Sequence, residues 1–312
     1  MNKPALLKKK DKIALIAPAS PAPKEQLNIA VHSILFLGLE PIIFPTCHKQ
    51  HGYLSGCDEE RVKDIHDAFS DPDISAVFCL RGGYGTTRLL PHIDYDLIRN
   101  HPKLFLGYSD ITALHTAFQN LCSLPCLHGP MPGGNYTAVD SLTLHYLIHH
   151  LFSKAPVGII PKDHSPQITT LYPGTAAGQL TGGNLSLLVS TLGTPYEIDT
   201  KGKLLFIEDV NERPYQIDRG LTALSLAGKF DDCSGIILGS FENCYSPDYP
   251  DDRSLSLWEI FKEVILPHKK PAVAGFQAGH IYPHIPLPLG INAILNGKDR
   301  SLTITESLCH FI

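Results

Sequence analysis

The sequence predicts an α/β protein, with a parallel sheet in its first half and a smaller, mixed α/β domain in its second. In the first half, short apolar runs alternate with segments whose apolar residues recur at helical spacing, which is the pattern of βαβ units. These runs are continuously apolar, as is typical of parallel strands buried on both faces. The chain has 312 residues, of which 43% are hydrophobic, so it is long enough to bury the cores of two domains.

The elements of the first half follow one another in strand–helix order. Strands are predicted at residues 13–17, 41–44, 74–80, 104–106 and 126–128. Helices are predicted at residues 25–36, 58–69, 111–121 and 140–152. Residues 154–169 are rich in Pro and polar side chains and form a predicted loop. We therefore expect an N-terminal domain at 1–153, a linker at 154–172 and a C-terminal domain at 173–312.

The second half has a different rhythm. Strands are predicted at residues 176–180, 203–207, 236–238 and 272–274, and helices at 185–192, 216–227 and 255–266. Near the end, residues 293–295 and 301–305 flank Asn296-Gly297, a strong hairpin signal. These elements predict a mixed α/β domain.

Composition excludes several classes of protein. The 26 Lys and Arg against 31 Asp and Glu give a net charge of −5 without a basic block, so we expect no nucleic-acid partner. No stretch approaches the roughly 20 apolar residues of a membrane span, and residues 13–17 are too short an apolar run for a signal peptide. The eight cysteines include no CxxC pair, which favours free thiols in a reducing, cytoplasmic setting.

A serine follows the fourth predicted strand at a tight turn. Leu104-Phe-Leu-Gly-Tyr-Ser109-Asp110 runs directly into a helical pattern, so the Ser109 hydroxyl is expected at the carboxyl edge of the sheet, where open α/β folds bind ligands. The following helix would direct its N–H groups at charge developing there. Alternatively, Ser109 or Asp110 merely caps the helix.

A glycine-rich loop follows the third predicted strand. Arg81-Gly82-Gly83-Tyr84-Gly85 lets the backbone approach a ligand without Cβ obstruction. It matches neither the phosphate-binding nor the dinucleotide-binding fingerprint, so no cofactor is expected. One of its N–H groups could form half of an oxyanion hole, with Asp110 supplying the other half; alternatively, the loop is only a tight turn.

A nucleophilic serine needs a base, and the base needs an orienting acid. Among sixteen histidines, His280 follows a short apolar strand with a glycine before it. Glu208 and Asp209 end another apolar strand, and either could orient His280 or form a structural ion pair. Pro283 and Pro286 would break any helix that could align His280 with His284, and no Cys or acidic ligands lie nearby, so no metal site is expected.

Taken together, these residues resemble the LD-carboxypeptidases, serine peptidases (family S66) that trim the murein tetrapeptide. The resemblance covers about residues 12–292 and is specific in the order of its pieces. They are Ala17-Pro-Ala-Ser20, Arg81–Gly85 with Arg88-Leu-Leu90, Gly107–Thr112, His128–Met131, Gly182–Leu185, Leu192–Pro195, Glu208-Asp209, Tyr215–Arg219, Gly279-His280 and Pro288–Gly290.

The resemblance implies a flavodoxin-like N-terminal domain that bears the nucleophile and a C-terminal domain that supplies the acid and the histidine. It implies a catalytic triad of Ser109, His280 and Glu208. The implied oxyanion hole uses the N–H groups of Asp110 and Gly83. It also implies cytoplasmic removal of the terminal D-alanine from murein tetrapeptides during peptidoglycan recycling, and a homodimer.

Recognition of a free carboxylate requires cations or polar groups near the serine. Candidate substrate-binding residues are Arg81, Gly82, Tyr84 and Arg213, with Arg219 as a further candidate; each arginine could instead form a structural ion pair. After His280 the family usually has glycine and asparagine, whereas this chain has Ile281-Tyr-Pro-His284. That departure predicts an altered pocket wall and substrate preference, and the same reaction type.

Two alternative functions use other interpretations of these residues. The first is a related immunity-type peptidase that cleaves an amide in a peptide–nucleotide antibiotic. The second is a non-catalytic peptide-binding protein that uses the glycine loop.

Overall fold

A computed structural model describes residues 2–245 and 253–310 of the chain. The first sheet has six strands in the order β2–β1–β3–β4–β5–β12. Their bounds are β1 (Lys12–Ile16), β2 (Glu40–Ile43), β3 (Ile74–Cys79), β4 (Leu104–Gly107), β5 (Cys126–His128) and β12 (Leu287–Leu289). β1 to β5 are parallel, and β12 pairs antiparallel with β5. The order 2-1-3-4-5 is that of a flavodoxin-like doubly wound sheet.

Helices cover both faces of this sheet. They are α1 (Lys24–Phe36), α2 (Asp58–Ser70), α3 (Tyr95–Asn100), α4 (Thr112–Cys122) and α5 (Ser141–Phe152). Along β1, Ile13 and Leu15 pack into the core beneath α1 and α5, whereas Ala14 and Ile16 pack into the core beneath α2 and α4. Both faces of the strand are therefore buried, which explains its continuously apolar sequence.

The second sheet has eight strands in the order β6–β14–β13–β8–β9–β10–β11–β7. Their bounds are β6 (Gly158–Ile160), β7 (Thr169–Tyr172), β8 (Thr175–Asn184), β9 (Leu204–Val210), β10 (Gly235–Glu242), β11 (Ala272–Ala274), β13 (Asn292–Asn296) and β14 (Ser301–Ile304). β8 to β11 are parallel and the outer strands are antiparallel. The associated helices are α6 (Leu185–Ser190), α7 (Pro214–Leu226), α8 (Lys229–Asp232) and α9 (Leu257–Ile265).

The predicted fold class is confirmed: a flavodoxin-like parallel sheet is followed by a mixed α/β part. The loop predicted at residues 154–169 is wrong in part, because β6 and the first residue of β7 lie within it. Both strands pair at the edges of the second sheet, where a few backbone hydrogen bonds suffice and the side chains need no alternating pattern. The proposed boundaries, with a linker at 154–172, stay a prediction.

Candidate active site

Ser109 lies at a strained turn between β4 and α4. It begins a short 3₁₀ turn, Ser109–Ile111, and its φ of +64° places a non-glycine residue in the left-handed region. Such backbone strain is concentrated at functional sites. Neither Ser109 nor Asp110 caps α4, since the Asp110 carboxylate instead accepts the Thr86 N–H at 2.9 Å. The capping interpretation is therefore not supported.

The glycine-rich loop lies directly against Ser109. A Cβ on Gly82 would be 3.0 Å from Ser109 Cβ and 3.2 Å from its Oγ, so only glycine allows this approach without displacing the serine. Gly83 has a φ of +119°, which favours glycine for its backbone conformation. Within the described ranges, neither the Gly83 N–H nor the Asp110 N–H donates a hydrogen bond. Both amides are therefore available to a ligand oxygen.

His280, in the loop that follows β11, is hydrogen-bonded to Glu208 of β9. His280 Nδ1 is 2.7 Å from Glu208 Oε2, and Glu208 is fully buried within β9. Burial raises the pKa of the Glu208 carboxyl, and the hydrogen bond from His280 opposes that rise. Oε1 has no partner among the described residues. When Glu208 is ionised, the hydrogen bond from His280 Nδ1 is therefore the main interaction that stabilises its negative charge. With Nδ1 as the donor, the other ring nitrogen of His280, Nε2, is left to accept a proton.

Asp209 faces a different set of partners. Its Oδ1 accepts the amide of Asn184 at 2.8 Å, and its Oδ2 accepts the N–H and the hydroxyl of Ser186 at 3.0 and 2.8 Å. Successive side chains of a strand point to opposite faces, so Glu208 faces His280 while Asp209 secures the start of α6. The geometry distinguishes the two carboxylates that the strand-end pattern left open, and the one that faces His280 is Glu208, as the resemblance implied.

Ser109 and His280 meet in one cleft of about 290 Å³. No hydrogen bond joins their side chains, although both lie in the described part of the chain. Such bonds often tighten only when substrate binds. The residues that line the cleft are Gln26, Leu80, Arg81, Gly82, Gly83, Tyr108, Ser109, Met131, Gly133, Gly134, His280 and Tyr282.

Two predicted substrate-binding residues do not line this cleft. Tyr84 is 50% exposed and packs edge-on against Tyr53, with ring centroids 5.6 Å apart. Arg213 precedes α7 and lines a separate depression with Tyr215 and Arg253. By contrast, Arg81 and Gly82 do line the cleft, so they are placed where a ligand could contact them.

Several lining residues were not singled out from the sequence. The Tyr108 ring lies 4.8 Å from the His280 ring, and Tyr282 Oη would be 3.0 Å from a Cβ on Gly134. The position of Tyr108 next to Ser109 was the available signal for the first. Tyr282 belongs to the segment after His280 in which an altered pocket wall is predicted, and it does line the cleft; its effect on substrate preference stays a prediction.

Buried histidines lie behind the cleft. The His284 ring is 5.2 Å from Tyr108 and the His128 ring 5.7 Å from His284. Burial lowers the pKa of His284 to about 3 and that of His128 well below its ordinary value. Throughout residues 2–245 and 253–310, no cluster of three or more His, Cys, Asp or Glu side chains could hold a metal ion.

An α/β fold that brings a strained serine to the same cleft as a histidine, itself hydrogen-bonded to a buried glutamate, defines a class of protein, the serine-type hydrolases. The chain matches the sequence model of the LD-carboxypeptidase N-terminal domain over residues 13–129. It matches that of the C-terminal domain over residues 177–295. The chain belongs to the LD-carboxypeptidase family and is a peptidase.

Relatives of two kinds share most of the chain. A probable murein peptide carboxypeptidase of Bacillus subtilis is 44% identical over 97% of this chain and 94% of its own length. The murein tetrapeptide carboxypeptidase of Pseudomonas aeruginosa is 32% identical, covering 92% and 94% of the two chains. The microcin C7 self-immunity protein MccF of Escherichia coli is 28% identical over 95% and 93%. A solved structure of MccF in its wild-type apo state superposes with a TM-score of 0.89 at 26% identity, covering 99% of each chain.

None of the helices within residues 2–245 and 253–310 has the length and apolar character that a membrane span requires.

Proposed function

We propose that the chain is a serine-type LD-carboxypeptidase that removes the terminal D-alanine from murein tetrapeptides. The observation that carries the proposal is the 2.7 Å bond from His280 to the buried Glu208, at the edge of the cleft that contains the strained Ser109. The 44% identity to a probable murein peptide carboxypeptidase supports the substrate class. The expected setting is cytoplasmic peptidoglycan recycling by a homodimer.

The reaction is acyl transfer in two steps. Ser109 Oγ attacks the carbonyl carbon before the terminal D-residue while His280 Nε2 takes the hydroxyl proton, and Glu208 stabilises the imidazolium. The N–H groups of Gly83 and Asp110 bind the oxyanion. The C–N bond then breaks as His280 returns the proton to the leaving amine. Water, deprotonated by His280, hydrolyses the acyl-enzyme and restores Ser109.

Arg81 is proposed to bind the substrate's terminal carboxylate. Among the described residues that line the cleft, it alone carries a permanent positive charge. Its guanidinium donates to the carbonyl oxygens of Gly82 at 3.3 Å and Pro21 at 3.2 Å. These bonds hold the charge beside the glycine loop, and the remaining N–H groups of a guanidinium can pair with a carboxylate.

The deciding experiment is mass spectrometry of murein tri-, tetra- and pentapeptides after incubation with the pure protein. The wild type should convert tetrapeptide to tripeptide with release of D-alanine, because only the tetrapeptide ends in the proposed scissile bond. Ser109→Ala should abolish this release while keeping the unfolding midpoint within a few degrees. Full turnover by Ser109→Ala would refute the proposed nucleophile.

A second candidate is an immunity-type peptidase, favoured by the close superposition on MccF. It would use the same residues on an amide of a peptide–nucleotide antibiotic. Side-by-side assays on the tetrapeptide and on such an antibiotic separate the two functions. Cleavage of the antibiotic alone would replace the first proposal, and failure of an active-serine probe to label Ser109 would favour a non-catalytic peptide-binding protein.

A further inference from the structure

Ser20 lies opposite the glycine-rich loop at the same edge of the first sheet. β1 and β3 are parallel neighbours, with Ile16 paired to Cys79, so the chain leaves both strands at their carboxyl ends. Ser20 follows β1, and the Gly82–Tyr84 segment follows β3. The two strand-end segments are therefore side by side although they are about 60 residues apart in the chain.

Ser20 contacts the loop on both sides of Gly83. Its backbone N–H donates to Gly82 O at 3.4 Å, and its Oγ accepts the Tyr84 N–H at 3.1 Å. A Cβ on Gly83 would lie 2.3 Å from Ser20 Oγ, so the glycine packs directly on the hydroxyl. These contacts restrict the orientation of the peptide units that flank Gly83.

The support for Ser20 is itself rigid. Arg61 is fully buried and donates from the same Nη1 to Pro18 O at 2.7 Å and to Gly85 O at 3.0 Å. Ser55 donates from its hydroxyl to Ala19 O at 3.0 Å. The segment before Ser20 and the end of the glycine loop are thus tied to the same buried guanidinium.

The orientation of Gly83 matters because the neighbouring Gly82 packs on Ser109. A donor for an oxyanion must lie about 2.7–3.1 Å from the position where the oxygen develops its charge, and small misplacements cost rate. The Ser20 backbone N–H holds the Gly82–Gly83 peptide unit, and the Ser20 hydroxyl holds the following unit through the Tyr84 N–H and packs on Gly83. Of these contacts, only those of the hydroxyl can be removed by substituting a side chain without changing the loop sequence.

We propose that Ser20 is a positioning residue that holds the Gly83 N–H in place as an oxyanion donor. The proposal rests on the proposed function of the same site. It assigns Ser20 no contact with the substrate, so its removal should lower kcat and leave KM nearly unchanged.

The test compares Ser20→Ala with Ser153→Ala. Ser153 is a matched control because it too is partly exposed and its Oγ also accepts a backbone N–H, from Ala155 at 3.2 Å, outside the cleft. Ser20→Ala should reduce kcat for D-alanine release by about tenfold to a hundredfold, less than the roughly 10²–10³ that follows loss of a whole oxyanion donor, with KM within about twofold. Ser153→Ala should change neither constant more than twofold.

A second measurement separates failure of this proposal from failure of the proposed function. The rate at which a fluorophosphonate labels Ser109 needs no peptide substrate, and Ser20→Ala should slow it about tenfold after correction for folded fraction by thermal unfolding. If the wild type releases no D-alanine but the variant labels slowly, the substrate assignment fails and the role of Ser20 stands. Unchanged labelling and kcat in Ser20→Ala, an effect on KM alone, or no labelling of the wild type would overturn the role of Ser20.

Discussion

At the scale of single residues, the site depends on one strained backbone and one buried charge. Ser109 has a φ of +64°, which for a residue with a side chain costs free energy that the rest of the fold must offset. Glu208 is fully buried, and one of its oxygens has no partner within the described ranges. Both features are unfavourable for stability alone, so each is better explained by the chemistry of the cleft.

Exchanging each carboxylate for its amide distinguishes the roles of Glu208 and Asp209. Glu208→Gln should lower kcat by up to about 10⁴-fold, because an amide neither stabilises the imidazolium nor fixes its tautomer. Asp209→Asn should leave kcat per folded molecule within a few-fold. Since its bonds to Asn184 and Ser186 change, it should lower the free energy of unfolding by about 1–3 kcal/mol.

The measurement is steady-state kinetics together with denaturant unfolding of both variants. The Asp209→Asn protein serves as the control for Glu208→Gln, since it removes a neighbouring charge from the same strand. An equal loss of kcat in the Asp209→Asn variant alone would show that the wrong carboxylate has been assigned to His280.

At the scale of elements, the site is made by loops that leave the carboxyl ends of parallel strands. Gly82 and Gly83 follow β3, and Ser109 follows β4, its neighbour in the sheet. Because the two strands are parallel neighbours, their carboxyl ends lie at the same edge of the sheet, and the two loops meet there without any residue of either loop having to bring them together. That is why the glycine loop and the serine could be assigned to one site from the sequence of each strand end.

Gly82→Ala tests the contact between the two loops. The new methyl group would meet Ser109 Cβ at 3.0 Å and Oγ at 3.2 Å, so the serine must move or the loop must withdraw. We expect kcat/KM to fall at least tenfold while the unfolding midpoint changes little, as measured by steady-state kinetics and thermal unfolding.

Gly52→Ala provides the opposite control. A Cβ there meets nothing within 4 Å, but the φ of +61° disfavours alanine, so the variant should lose about 1–2 kcal/mol of stability and keep its kcat. A fully active Gly82→Ala enzyme would show that the loop and Ser109 tolerate separation.

The strands that the sequence did not predict share one physical property. β6, β7 and β12 are short strands at the edges of the two sheets. β12 even contains Pro288, which is compatible with an edge position because proline cannot donate to a ladder. Such strands depend on a neighbour that already exists, and their own residues carry little periodic signal.

At the scale of the whole molecule, the two halves are connected through more than the chain between them. β12 lies in the second half of the sequence but pairs with β5 in the first sheet. It follows shortly after His280, so the same segment that carries the histidine is anchored on the sheet that carries Ser109. This pairing limits how far the histidine and the serine can separate.

Acid should destabilise the whole molecule through its buried histidines. Burial lowers the pKa of His115, His150 and His284 to about 3 each, and the pKa of His128 well below 6.5. These side chains stay neutral in the fold but bind protons in the unfolded chain below its pKa of about 6.5. Their contribution to stability is therefore complete above pH 6.5 and is lost as the pH falls. Burial raises the pKa of Asp64, Asp110 and Glu208, which opposes this trend.

The contribution of one histidine to the pH dependence of stability can be measured by denaturant unfolding of the His115→Leu variant between pH 5 and 8. Both ring nitrogens of His115 are buried without a partner in the described part of the chain, so leucine breaks no hydrogen bond there. The stability curve should become shallower by up to about 1.4 kcal/mol per pH unit relative to the wild type. The exposed His51 supplies the control, since His51→Gln should leave the slope unchanged. An unchanged slope in His115→Leu would contradict the prediction.

The sequence by itself determined the class of fold, most central strands and helices, and the strand-end positions of Ser109, the glycine loop and His280. These features arise from hydrophobic periodicity and turn chemistry among residues close together in the chain. The strand-end pattern left Glu208 and Asp209 as alternatives, and the family resemblance implied Glu208. The tertiary structure shows that Glu208, 72 positions from His280, faces it, whereas Asp209 bonds Asn184 and Ser186. It likewise decided that Tyr84 and Arg213 lie outside the cleft, because side-chain direction at the end of an element is set by contacts with distant residues.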